Sequence, residues 1–353
     1  MIKFKLLIII ILINITIIYS QKNIKDTITI IGVGDIMLGT DYPDNLSLPP
    51  QKNCYPLLNN VKDILINADI TFGNLEGTFA GSKGKAKLCR DTSNCYVFRM
   101  PEEFINCITD AGFDLLSVAN NHSHDFGYEG KMNTIKVLND ANIGFAGYIE
   151  YPKFIMTKDS ITYGFCAFAP NQGTCNLNNL TEAIKIVKEL DENCDIVIVS
   201  MHGGAEGANY QHVTRKEEFF LEQSRGNVYE FAHKMIDAGA DVVFGHGPHI
   251  TRAIEVYKNK FIAYSLGNFC TYSKFNLKGP NGIAPIIKIF TDKNGNFYKG
   301  QIFSIIQKGE GGPVIDTTKA ALKKIIDLTQ TDFSENKILF DDNGNFFNIP
   351  KKD

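Results

Sequence analysis

Apolar runs of strand length alternate with stretches of helical spacing along most of the chain. Thr27 to Val33 reads as a strand ending at Gly34-Asp35, and a helical stretch from Leu57 to Ile66 leads to a short strand ending at Phe72. Pro101 opens a helix to about Asp110, with Glu102 and Glu103 in its first turn, where the helix dipole favours acids. Leu115 to Val118, Phe165 to Phe168, Ile196 to Ser200 and Asp241 to Phe244 are strand-like, and Lys131 to Leu138, Thr181 to Leu190 and Val228 to Ala238 have helical spacing. This alternation predicts an α/β fold whose strands are buried on both faces. Later the pattern changes. Phe261 to Ser265 and Ile286 to Phe290 read as strands, and Asp292-Lys293-Asn294-Gly295-Asn296 as a hairpin turn, so antiparallel strands join near the C-terminus. Thr317 to Leu328 predicts a final helix.

The N-terminus departs from this pattern. Lys3 and Lys5 precede an apolar run from Leu6 to Ile13 that continues less purely to Tyr19, and Ser20-Gln21 opens a polar segment. That is the layout of a secretory signal, too short for a comfortable membrane span. Residues 1–20 are therefore expected to be a signal peptide or an uncleaved N-terminal anchor, placing the rest outside the cytoplasm. The 353 residues are 44% hydrophobic and 21% charged, which describes an ordinary globular chain with a sizeable core. A net charge of −3 gives no electrostatic reason to expect nucleic-acid binding. Eight cysteines suit an exported protein. Cys89 and Cys95 flank a short polar loop and are the expected disulfide, whereas Cys107, Cys166, Cys194 and Cys270 lie in apolar surroundings and read as small core residues. No Cys-x-x-Cys pair occurs, which argues against a structural zinc or redox motif.

The polar residues that could do chemistry recur just past the strands, where the loops of an α/β sheet leave the core. The first strand delivers Asp35. The second runs into Gly73-Asn74-Leu75-Glu76-Gly77, and the third into Asn120-Asn121-His122-Ser123-His124-Asp125. Ile196 to Ser200 is followed by His202-Gly203-Gly204, and Val242 to Phe244 by Gly245-His246-Gly247-Pro248-His249. Of the seven histidines, His122, His202, His246 and His249 sit immediately past a strand. Singly, the segments read as ordinary turns or loops as readily as functional ones, the His246–His249 pair excepted, because a stiff tight turn can aim two imidazoles at one point; five together point to a shared site. Imidazole and carboxylate donors suit a divalent first-row metal, Mn, Fe or Zn. His233, inside an amphipathic helix, reads as a packing or surface residue, and His124 and His212 are open. Ser265 lacks the Gly-x-Ser-x-Gly elbow of a hydrolase nucleophile.

Gly34-Asp35-Ile36-Met37-Leu38-Gly39, Gly73-Asn74-Leu75-Glu76-Gly77, Ala119-Asn120-Asn121-His122 through Asp125-Phe126-Gly127, Gly245-His246-Gly247-Pro248-His249 and Tyr264-Ser265-Leu266-Gly267-Asn268-Phe269 resemble, in order, the signature blocks of the CapA family. These are poly-γ-glutamate capsule biosynthesis proteins related to calcineurin-like metallophosphoesterases. The resemblance implies a four-layer sandwich, two mixed β-sheets flanked by helices, over residues 27–310, with 311–353 as a C-terminal helix and tail. It implies one or two divalent metal ions held by Asp35, Glu76, Asn121, His202, His246 and His249. His122 with Asp125 would be catalytic, and Asn74, Asn120 and Asn268 would contact substrate. Two positions depart from the wider superfamily: Met37 stands where it has a His, and Asn74 where it has a metal-bridging Asp. An uncharged amide does not bridge two cations as a carboxylate does. Either Glu76 takes the bridge, or one metal is held, or catalysis is lost.

The expectation is an exported metal-dependent hydrolase of a phosphoester or related bond in a cell-envelope or capsular polymer. The alternative is a non-catalytic accessory that binds poly-γ-glutamate or another anionic polymer together with its membrane synthase. The membrane itself enters only through the N-terminal segment, if uncleaved. A Ser265-dependent hydrolase is a weaker third option.

Overall fold

A computed structural model describes residues 26–88, 95–309 and 311–348. The expected signal segment, 1–20, and Cys89 lie outside the described residues. Two large sheets dominate. In the first, strands follow the order Ile338–Phe340, Asn345–Asn348, Phe297–Gln307, Ile283–Thr291, Ile28–Met37, Ile70–Leu75, Leu115–Ser117, Gly144–Ala146. Asn268–Thr271 adds alongside the end of Ile28–Met37, and Pro313–Ile315 pairs with Phe297–Gln307. The second sheet runs Ile254–Tyr257, Lys260–Ala263, Val242–His246, Ile196–His202, Ile161–Phe168, Lys153–Lys158. Its centre is parallel and both its edges are antiparallel.

The layers follow from side-chain alternation along each strand. Ile30, Phe72, Ile198 and Phe244 share one apolar core between the sheets, where the rings of Phe72 and Phe244 stack with centroids 5.3 Å apart. Their neighbours turn the other way. Ile31 and Val33 pack outward with Leu57, Ile108 and Ile135 of the first helical layer. Val197, Val199 and Val243 pack outward with Ile186 and Phe231 of the helices Leu180–Asp191 and Val228–Asp237. The result is a four-layer α/β sandwich with two mixed sheets flanked by helices, as expected. Each large side chain buried in these layers contributes roughly 1.5–3 kcal/mol.

Several element limits differ from the sequence reading. The first strand does not stop at Asp35 but continues to Met37, because Asn268–Thr271 offers Asp35, Ile36 and Met37 fresh partners. The expected helix from Leu57 to Ile66 is two short helices, Tyr55–Asn59 and Lys62–Leu65. Cys107 is not a free core thiol: it is bonded to Cys54, 53 residues earlier, within the outer helical layer. The hydrophobic neighbourhood of Cys107 hid this, since apolar surroundings suit a buried disulfide as well as a buried thiol. Cys166, Cys194 and Cys270 are free. The hairpin turn after Ile283–Thr291 forms as read, and Asn345–Asn348 returns the C-terminal segment to the first sheet.

Candidate functional site

The candidate site lies where both sheets end, and strand register builds it. Asp35 is paired with Asn74 on one side and with Asn268 on the other, while His246 is paired with His202. Gly34 makes the approach to the Asn268 strand possible. A Cβ there would stand 1.9 Å from the Gly267 carbonyl oxygen, which accepts the Asp35 N–H at 2.9 Å. His249 is reached by a tight loop in which Gly247 and His249 itself have φ of +109° and +56°.

Asp35, Glu76, His202 and His246 are fully enclosed side chains. Asp35 Oδ2 meets His249 Nδ1 at 2.8 Å, and Asp35 Oδ1 lies 3.3 Å from His246 Nδ1. Glu76 Oε2 lies 3.7 Å from His202 Nδ1, and Oε1 lies 3.8 Å from His249 Nε2. The Asn74 amide sits between the two acids, donating to Asp35 Oδ1 at 2.8 Å and to Glu76 Oε2 at 2.6 Å. Asn120 donates to Asn74 Oδ1 and the Leu75 carbonyl. Asn74 and Asn120 therefore brace the acids from behind. Met37 turns away into the outer core.

The electrostatics follow from burial and proximity. Burial pushes Glu76 up, reinforced by the Asp35 charge, to about 8. Burial would also raise Asp35, but its contacts with His246 and His249 outweigh this and hold it well below the usual carboxylate range. Burial works to lower His249, yet the Asp35 hydrogen bond and charge, helped by Glu76, raise it to about 10. His202 is driven well below its ordinary value by burial and then by the charge of Arg225.

In front of these groups is a cavity of about 440 Å³ lined by Asn121, His122, His249 and Asn268 among the expected residues. His122 Nδ1 is held by Asp125 Oδ2 at 2.7 Å, and Phe98 covers the imidazole with ring centroids 4.3 Å apart. Asp125 also accepts from the Phe98 N–H and pairs with Lys87 at 2.6 Å. Asn268 donates to the carbonyls of His249 and Asn281. Ser265 is buried, and its Oγ accepts from the Gly267 N–H at 3.4 Å. Outside the site, His233 packs between Tyr229 and Tyr257 and bonds Glu255. His212 pairs with Asp332 at the surface.

Do these residues fit a metal? Both ring nitrogens of His202 and of His246, Glu76 Oε1 and Asn121 Oδ1 are buried with no hydrogen-bond partner. A buried polar atom without a partner is costly, and one nitrogen of each neutral imidazole, together with Glu76 Oε1 and Asn121 Oδ1, has a lone pair to offer, which a cation would accept. The donor set of imidazole and carboxylate suits Mn, Fe or Zn. The side chains are close without forming a finished cage: among the described residues no three His, Cys, Asp or Glu are arranged as a metal-holding group. Asp35 and His249 are instead turned onto each other. Arg225, Glu206, Lys87 and Phe98 also line the cavity, and sequence reasoning misses all four. None lies in a motif, and only folding brings them there.

The fold and pocket define a four-layer α/β protein with a polar centre of histidines and carboxylates at the sheet ends. The chain belongs to the family of bacterial capsule synthesis proteins, PGA_cap, whose model matches residues 29–273. It is 29% identical over 268 residues to the capsule biosynthesis protein CapA of Bacillus anthracis, covering 70% of this chain and 60% of that one. It is also 29% identical over 254 residues to the PGA biosynthesis protein CapA of Bacillus subtilis strain 168, covering 67% and 61%. A "Probable polyglutamine synthesis accessory protein" of Mycobacterium tuberculosis is 27% identical over 240 residues, covering 60% and 56%. The matches thus span about three fifths of these relatives' length. Solved structures of similar fold include a 5'-nucleotidase precursor from Thermus thermophilus (TM-score 0.45, 13% identity, 87% of this chain and 59% of that one). Another is a purple acid phosphatase from yellow lupin (TM-score 0.43, 11% identity, 85% and 55%).

Proposed function

We propose that this protein is an extracytoplasmic, metal-dependent hydrolase that cleaves a phosphoester or related bond in a capsular or cell-envelope polymer. The observation that carries the reading is the set of buried, unpartnered donors on His202, His246, Glu76 and Asn121. Asp35, Glu76, Asn121, His202, His246 and His249 would hold one or two ions of the Mn, Fe or Zn type. When bound, such an ion supplies Lewis-acid polarisation of the scissile group. The Asn74 amide holds the Asp35 and Glu76 carboxylates in a fixed relation. Asp125 fixes His122 through Nδ1, leaving Nε2 to give a proton to the leaving group. Asn268 orients the substrate from the cavity wall. Export is supported by the N-terminal apolar run and by the Cys54–Cys107 disulfide, since such bonds persist in oxidising compartments. The capsule-synthesis relatives support a working association with a polymer and its membrane synthase.

A second reading, an accessory that binds the polymer without turnover, is favoured by one observation. Asn74, which is uncharged, stands between the acids where a charged bridge would serve two cations. Elemental analysis of the purified chain tests the first reading. One or two equivalents of transition metal, lost in the His246→Ala/His249→Ala double variant, are expected. No metal after reconstitution with Mn, Fe or Zn sinks the hydrolase reading and leaves polymer binding.

A further inference from the structure

The cavity carries a cation that the reading above does not use. Arg225 is 4% exposed and lines the cavity. Its Nη1 pairs with Glu206 Oε1 at 3.0 Å, and its Nε donates to the Gly204 carbonyl at 3.2 Å. Its Nη2 is buried with no hydrogen-bond partner. That nitrogen lies beside the loops that follow the His202 and His246 strands: a Cβ on Gly247 would stand 3.2 Å from it.

The mount is rigid. Arg225 belongs to a hairpin of two strands, Glu218–Phe220 and Gln223–Gly226, joined by Leu221-Glu222 with φ of +47° and +61°. At its base the fully buried Arg252 grips Glu218 with two hydrogen bonds, 2.9 and 2.8 Å long. At its tip Phe220, Leu221 and Gln223 line the mouth of the cavity. Among the described residues the lining holds three Lys and Arg side chains, Lys87 (paired with Asp125), Arg225 and Lys274, together with His249, against the single carboxylate of Glu206.

A guanidinium with two of its three nitrogens committed and the third buried without a partner beside the His202 and His246 loops matches an oxyanion, whose lone pairs a guanidinium N–H meets along a fixed direction. The geometry points to Arg225 as the residue that binds an anionic group of the substrate, carboxylate or phosphate, beside the His202–His246 loops. Glu206 holds the guanidinium in place and tempers its charge. The hairpin tip stands at the mouth beside that group. This assignment rests on the proposed site being a substrate site; it does not require that the site turn substrate over.

Calorimetric titration of the full chain with inorganic phosphate and, separately, with glutarate tests it, before and after chelator treatment. Tighter binding of phosphate assigns a phosphorylated substrate, and tighter binding of glutarate a carboxylate polymer. Arg225→Gln is expected to weaken the bound probe roughly ten- to a hundredfold with metal content unchanged. Glu206→Gln, which leaves Arg225 in place should Arg225→Gln fail to fold, is expected to tighten the same probe about threefold at low salt. Arg225-dependent binding in chelated, metal-free protein keeps the inference even where the hydrolase reading has failed. Unchanged affinity in Arg225→Gln, no response to Glu206→Gln, or no binding of either probe by the unaltered chain overturns it.

Discussion

At the scale of single residues, identity and placement separate cleanly. Asp35, His202, His246 and His249 stand out because each follows an apolar strand, and they meet because register pairs Asp35 with Asn74 and His246 with His202. Asn74 and Asn120 are equally visible, but their amides face the acids and each other. Spacing along a chain does not say which way a side chain turns. His202→Ala is expected to lower bound metal at least tenfold, read by elemental analysis, because its two ring nitrogens are buried with no protein partner. His122→Ala is expected to keep the metal and, on any phosphoester turned over, to lower kcat by roughly 10²–10⁴. Gly34→Ala puts a methyl 1.9 Å from a carbonyl oxygen and is expected to cost about 3 kcal/mol in denaturant unfolding.

At the scale of elements, most were legible and their ends were not. The final helix, Ala320–Asp332, shows why. Its cap residue Lys319 has φ of +57° and no capping side chain, so Asp316, four residues before Ala320, accepts the Ala320 N–H at 2.8 Å. Asp316 also accepts from the Thr318 N–H and hydroxyl. Burial alone would raise the Asp316 carboxyl, but these bonds outweigh it and hold the carboxyl below its ordinary value. A lowered carboxylate contributes stability above the unfolded-state pKa and loses it as pH falls through the folded one. Asp316→Ala is therefore expected to cost about 1 kcal/mol at neutral pH, with the difference from the unaltered chain closing as pH drops below about 4. Thermal melts across pH read both.

At the scale of the whole molecule, the site is an interface between sheets. The first sheet supplies Asp35, Asn74 and Asn268, and the second His202 and His246. Their relative position is held by the inter-sheet core around Phe72 and Phe244. The outer layer is fastened separately by Cys54–Cys107, whose loop of 53 residues predicts a contribution of roughly 2–4 kcal/mol. Guanidinium unfolding with and without a thiol reductant is expected to show that loss. Activity measured well below the transition should survive, because the bond lies outside the cavity.

Local pattern alone was enough for the alternation of strands and helices, the hairpin turn after Ile283–Thr291, and the five polar segments that end the strands. These are properties of neighbours within a few residues, which periodicity and turn chemistry express directly. Which cysteine pairs with Cys107, which amides brace the acids and which cation faces the cavity depend on contacts between residues far apart. Cys54 and Cys107, Asp35 and His249, and Arg225 and Gly247 are each joined only when the layers close. Such pairings leave no mark in local order, so the packing of the two sheets and their loops decided them.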